Sequence, residues 1–272
     1  MNHENPLTLC LDVGNSNIFG GTFNADGSIG LRFRKTSSQS ASADEYGIFL
    51  KSALRENGLD PVDVKRIGIC SVVPDTIYSL RRACQKYFNI EPFLLRAGVK
   101  TGLSIAYRNP LEVGADRIAN AVATSLRYPG RDCIVADFGT ATTFDVIAGG
   151  KKYLGGAIAP GMRIGMEALE LQTARLPSVE ILKPEVACGR STVESIQSGL
   201  FWGHVGMVRE LLQRIGAECF ASPGAMPPVV VATGGFSHLF ADSGLFDAIL
   251  PDLVLEGIYQ AIALNPEEGG AV

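Results

Sequence analysis

The sequence predicts an α/β chain of two similar lobes, each a mixed β-sheet flanked by helices. Three observations carry this. Short apolar runs interleave with helical periodicities along most of the 272 residues. A pattern of apolar strand, Asp, any residue, Gly, small polar residues and a returning strand occurs twice, in "LCLDVGNSN" at Asp12 and in "CIVADFGTATTFDVI" at Asp137, 125 residues apart. A third glycine turn, "VVVATGGF" at 229–236, again follows an apolar strand.

Taken in order, "LTLCLDV" reads as a buried strand, "GNSN" as a turn and "IFGGTF" as the returning strand, with "GSIGLRFRKT" adding a third. Residues 44–57 have helical spacing, with Tyr46, Phe49, Leu50, Ala53 and Leu54 on one face. "RIGICSVV" is a buried strand ended by Pro74, and Asp75 is placed to cap a helix running to about Phe88. "PFLLR" is a short strand, and a helix carries Ile118, Val122 and Leu126 on its apolar face. The opening pattern then recurs. The duplication gives domains of 1–117 and 118–272, joined near 108–118 without a flexible linker, and the tail "NPEEGGAV" is expected to fray.

Bulk properties narrow the functional classes. An apolar fraction of 46% and a charged fraction of 19% fit an ordinary globular chain. The net charge is −4, and the densest basic pairs are Arg81–Arg82 and Lys151–Lys152, which argues against nucleic-acid binding through a basic surface. No run approaches 18 apolar residues, so no membrane span is expected. "MNHENPLTL" lacks the features of a signal peptide, and six cysteines without C-x-x-C spacing suggest buried free thiols in a reducing cytoplasm. His3, His204 and His238 show no zinc spacing; His204 and His238 read as structural, and Met162 and Met166 as packing residues.

A strand ending in Asp and then Gly suits a polyanion. Glycine lets backbone N–H groups approach phosphate, and Asn and Ser add donors. The Asp fits beside phosphates if it holds a cation or its waters. One copy reads equally as a plain β-turn; two copies at matching strand ends, with the glycine turn at 229–236, favour a phosphate site. G-x-x-x-x-G-K-[ST], G-x-G and G-x-S-x-G are all absent.

The paired hairpins resemble the phosphate loops of the actin, hexokinase and heat-shock-chaperone superfamily. The ordered set "DVGNSN", "NPLEVGADR", "DFGTATT", "GGAIAPGM" and "ATGGF" resembles bacterial type III pantothenate kinase over nearly the whole chain. Ser16 stands where that family usually has Thr and keeps the hydroxyl. The resemblance implies two actin-like (ribonuclease-H-like) lobes and transfer of the ATP γ-phosphoryl to the primary hydroxyl of pantothenate. It makes Asp116 the general base, and Tyr107, Gly114, Ala115, Arg117 and Thr192 the rest of the pantothenate site. Asp12, Val13, Gly14, Asn15, Ser16, Asn17, Ile18, Phe19 and Thr140 would bind ATP. Asp12 would also hold Mg²⁺ through water, and Asp137 a monovalent cation, K⁺ or NH₄⁺, or else a second Mg²⁺ water. Ser191 and Glu194 have the capping-box form at the start of a long helix. In the family its threonine reaches the neighbouring subunit's site, so a homodimer is implied. Phe201, Trp202, Gly199 and Gly203 on that helix suit an interface or a core equally. Other kinases or phosphatases of the superfamily and a regulatory factor on the same scaffold are the rival readings.

Overall fold

The computed structural model describes residues 6–266, except 39, 174, 223 and 225. His3 and the end of the expected frayed tail, 267–272, lie outside the described residues.

The chain forms two compact units. The first contains a five-stranded sheet in the order β3-β2-β1-β4-β5. Strands β1 (Leu7–Val13), β2 (Asn17–Phe23) and β3 (Ile29–Thr36) form an antiparallel meander, and β4 (Val64–Ser71) and β5 (Phe93–Leu95) continue parallel to β1. Helices α1 (Ala43–Arg55) and α2 (Pro74–Phe88) connect these strands. Leu50 and Leu54 of α1 and Leu80 and Ala83 of α2 share a core with Leu9, Leu11 and Ile69 of the sheet. The start of α1 is held by a reciprocal cap in which Glu45 N–H donates to Ser42 Oγ at 3.2 Å and Ser42 N–H donates to Glu45 Oε2 at 2.8 Å. Asp75 does not stand at the capping position of α2. The helix begins at Pro74, whose fixed φ and missing N–H suit the first helical position, with Val73 as the capping residue.

The second unit contains a six-stranded sheet in the order β11-β10-β7-β8-β9-β6. Strands β7 (Cys133–Phe138), β8 (Ala141–Ala148) and β9 (Lys152–Pro160) repeat the antiparallel meander. Strands β10 (Val229–Thr233) and β11 (Ala248–Ile249) repeat the parallel extension, and β6 (Ser104–Ile105) adds an edge strand beside β9. Helices α4 (Met162–Gln172) and α5 (Thr192–Phe220) complete this unit. Phe201, Val205 and Val208 of α5 pack with Phe138, Phe144 and Val146 of the sheet. Apart from β6, the two strand orders are the same, which is the topological form of the repeat read in the sequence.

The units are not separated by one cut. The first also takes residues 108–123 and everything from 253 onward, whereas 104–107 and 124–252 form the second. The chain therefore passes from one unit to the other within α3 (Ala115–Arg127), and a boundary at 117/118 does not reproduce them. The physical reason is α6 (Leu253–Leu264), whose Leu255, Ile258 and Ile262 share a core with Cys10, Phe19 and Cys70. Gly68 makes that seat possible: a β-carbon there would stand 2.5 Å from Ile262 Cδ1. All six cysteines are free, and Cys10, Cys70, Cys84 and Cys133 are buried, but Cys188 and Cys219 are exposed, against the expectation of six buried thiols. Among the described residues, no helix is long and apolar enough to cross a membrane.

Candidate active site

In the first hairpin, Asp12 lies near the end of β1, paired with Phe19 across the hairpin and with Cys70 on the parallel side. The turn closes by a Gly14 N–H to Asn17 carbonyl bond of 3.0 Å. A residue with no sequence signal braces it. Ser37, just past β3, donates from Oγ to the Gly14 carbonyl at 2.6 Å and from N–H to the Ser16 carbonyl at 3.0 Å. Asn15 and Asn17 are exposed, and Gly14 and Ser16 partly so. Val13, Ile18 and Phe19 are buried at 0%, 2% and 8% exposure. Their side chains serve the core, the Phe19 ring lying 4.2 Å from the Arg34 guanidinium carbon, which leaves only backbone for a nucleotide.

The "GADR" segment opens α3. Asp116 is in the first helical turn, where a carboxylate suits the helix dipole. Its Oδ1 accepts from the Arg117 N–H at 2.8 Å and lies over Gly114, where a β-carbon would come within 2.4 Å of it. Glycine at 114 is thus what leaves room for the carboxylate. Burial raises the proton affinity of Asp116, opposed by the Arg117 N–H and the Arg117 charge. Arg117 itself is only 6% exposed, and Ala115 and Gly114 are half-buried. Asp12 and Asp116, both in the first unit, act on one buried group: after burial, their two charges raise the pKa of the Cys70 thiol.

In the second unit, Asp137 occupies the place in β7 that Asp12 has in β1, paired with Thr143 on β8 and with Thr233 on β10. Two glycines of the sequence motifs now have physical reasons. Gly234, at φ +88°, abuts the carboxylate so closely that a β-carbon would stand 2.3 Å from Asp137 Oδ1. Gly161 lies against the turn of the hairpin: its N–H donates to the Thr140 carbonyl at 3.2 Å, and a β-carbon would approach that oxygen to 2.2 Å. Thr140 is half-buried at the turn.

Tyr107 and Thr192 also belong to the second unit. Tyr107 follows β6, whose position beside β9 is fixed by bonds from Ser104 N–H to the Lys151 carbonyl at 2.9 Å and from Ala106 N–H to the Tyr153 carbonyl at 2.8 Å. Thr192 is the first residue of α5 after the cap Ser191, whose Oγ accepts from the Glu194 N–H at 3.2 Å. The return arm differs from a capping box: Glu194 Oε2 accepts from the Arg190 N–H at 2.6 Å. Thr192, Arg190 and Ser195 border a cavity of about 900 Å³ that also touches Leu169, Leu176 and Ile196. His204 is structural: its two ring nitrogens lie 3.2 Å from the Leu200 and Pro160 carbonyls, and burial lowers its pKa. His238 Nδ1 is 3.1 Å from the Gly235 carbonyl, and Met162 and Met166 are buried. Among the described residues, no group of three or more His, Cys, Asp or Glu could hold a metal ion.

A family model described as type III pantothenate kinase matches residues 8–214. A type III pantothenate kinase of Legionella pneumophila (strain Corby) is 58% identical over 259 residues, covering 95% of this chain and 99% of that protein. One from Elusimicrobium minutum is 44% identical with the same coverage. Two solved structures share the fold. A Campylobacter jejuni protein assigned to the Baf family of transcriptional activators has a TM-score of 0.59 at 19% identity, covering 95% of this chain and 98% of that one. A Sinorhizobium meliloti protein assigned as a 2-dehydro-3-deoxygalactonokinase has 0.56 at 11% identity, covering 95% and 99%. The two-lobed actin-like fold implied by the motifs is the one the chain has.

Proposed function

The chain belongs to the type III pantothenate kinase family, and on that premise we propose that it transfers the γ-phosphoryl of ATP to the primary hydroxyl of pantothenate, giving 4′-phosphopantothenate, the first step toward coenzyme A. The observation that carries the mechanism is the seat of Asp116. Its carboxylate lies at a helix start, over a glycine and beside a buried arginine, with its proton affinity raised by burial.

Asp116 is the general base that takes the hydroxyl proton as phosphoryl transfer proceeds. A raised proton affinity strengthens an aspartate in that task. Arg117 meets the carboxylate or amide of pantothenate with its planar fork, and Gly114 and Ala115 keep the approach open. Tyr107 lines the pantothenate pocket. Asn15, Ser16 and Asn17 supply donors to the phosphate oxygens, with Gly14 letting the backbone come close, Val13, Ile18 and Phe19 fixing the hairpin, and Thr140 contacting ATP.

Asp12 as a single carboxylate fits Mg²⁺, which keeps most of its waters and commonly takes only one or two protein carboxylates. When bound, the ion neutralises phosphate charge. Asp137, next to the Thr140 turn, would hold the monovalent cation, K⁺ or NH₄⁺.

A homodimer is part of this reading. Leu171, Val193 and Trp202, on or beside α4 and α5, are 78%, 43% and 41% exposed, and Gly199 and Gly203 have open space where a side chain would be. Thr192 would then serve the partner's site. Six free cysteines suit a reducing cytoplasm.

The test is an acceptor panel. Purified protein with Mg²⁺, K⁺ and ATP should consume ATP with pantothenate and not with sugars or other hydroxy acids. Turnover with one of those, and none with pantothenate, would overturn the reading.

A further inference from the structure

Asp145 is a carboxylate in an otherwise apolar run of β8, with no solvent exposure. It is not part of either hairpin turn and has no role in the mechanism above. Its Oδ1 accepts from the Tyr153 hydroxyl at 2.8 Å, and Tyr153, on β9, is likewise fully buried. A buried carboxylate is expensive to desolvate, and an apolar pair of similar volume commonly packs as well or better. What the polar pair adds is direction. A hydroxyl bound to a fixed carboxylate holds the tilt of the Tyr153 ring, which packing alone leaves freer.

The Tyr153 ring backs Tyr107, with centroids 6.4 Å apart and planes at 55°. Gly155 also lies against Tyr107: its missing β-carbon would sit 3.6 Å from Tyr107 Cε2. Gly155 has φ +134°, a conformation that glycine tolerates, and it follows a register shift between Val146 and Ile147 where β8 pairs with β9. The Ala106 N–H bond to the Tyr153 carbonyl ties the same segment to the same strand. Tyr107 is thus set by β9 through a ring, a bare glycine face and a backbone bond, and the ring is set by Asp145.

We propose that Asp145 is a positioning residue that acts through Tyr153 to hold Tyr107 in place for the acceptor substrate. The inference rests on the reading of Tyr107 as a pantothenate-pocket residue. Asp145 touches no substrate, so its loss acts on acceptor binding and leaves the phosphoryl-transfer step intact.

The test compares Tyr153→Phe, Asp145→Asn, Tyr107→Ala and the double variant Tyr153→Phe/Tyr107→Ala. Tyr153→Phe removes one oxygen and keeps the ring. Loss of one buried hydrogen bond corresponds to about a 3- to 10-fold rise in the KM for pantothenate, and kcat and the KM for ATP should stay within about two-fold of wild type. The double variant should be no worse than Tyr107→Ala. Independently of substrate, site-resolved nitration by tetranitromethane should modify Tyr107 faster in Tyr153→Phe, while Tyr78, 69% exposed in the other unit, reacts as in wild type. Unchanged Tyr107 nitration, or additive effects in the double variant, would overturn the proposal. If Asp145→Asn fails to fold, Tyr153→Phe still decides. If wild-type protein does not use pantothenate, the functional reading fails, and the nitration arm still tests the positioning.

Discussion

Gly114 and Asp116 occupy one space: a β-carbon on Gly114 would stand 2.4 Å from Asp116 Oδ1. Gly114→Ala therefore pushes the carboxylate off its seat while altering little else. Displacing a catalytic group by about 1 Å can cost about 10²-fold in turnover. The expected result is a loss of that order in steady-state kcat, with a thermal midpoint close to wild type.

Asp116→Asn should fold and lose about 10²- to 10⁴-fold in kcat, the usual range for a general base. The pH behaviour follows from the raised proton affinity of Asp116. Protonation inactivates a base, so kcat/KM should fall toward acid with a midpoint above the ordinary aspartate range. The stability effect has the opposite direction. A carboxyl whose folded pKa is raised contributes stability below its unfolded pKa and loses it as pH rises through the folded value. Thermal midpoints across pH should show that loss in wild type and its absence in Asp116→Asn.

The glycines of the second hairpin are structural requirements. Gly161→Ala meets the Thr140 carbonyl, and Gly234→Ala meets Asp137 at a positive φ. Each should destabilise the protein by about 1–3 kcal/mol, the usual cost of overpacking, measured by urea denaturation. Wild-type stability in both would mean the hairpin shifts freely.

The two hairpin aspartates should separate by cation. Asp12→Asn should raise the Mg²⁺ concentration needed for half-maximal rate. Asp137→Asn should erase the advantage of K⁺ or NH₄⁺ over Na⁺. Titration of each ion at saturating ATP checks both, and a loss of Mg²⁺ response in Asp137→Asn would exchange the assignments.

Light scattering should give twice the chain mass of 28.9 kDa, and Gly199→Leu should shift the protein toward monomer. A fully active monomer would remove the partner's Thr192 from the site.

Much of this was legible in the sequence because it is written in short local patterns. The apolar runs ending in Asp12 and Asp137 specified strands, hairpins and their repetition, and "GADR" marked the start of α3. Other features depend on partners distant in the chain. Ser37 looks like any strand-end serine until the fold carries it to Gly14 and Ser16. Asp145 reads as one polar residue in a strand, and its meaning depends on Tyr153. The unit boundary was hidden for the same reason. It is set by Ile258 and Ile262 packing on Gly68, a relation that no local pattern records. The start of α2 is ambiguous in the sequence because Asp75 and Pro74 both signal a helix start, and proline holds the first position.

The seat of α6 has a consequence for biosynthesis. The sheet of the first unit leaves the ribosome first, yet the helix that covers Cys10, Phe19 and Cys70 is made only after every residue of the second unit. The later-made unit can close its core first. The earlier one waits with an apolar sheet face uncovered, the kind of surface that is prone to aggregation until its covering helix arrives.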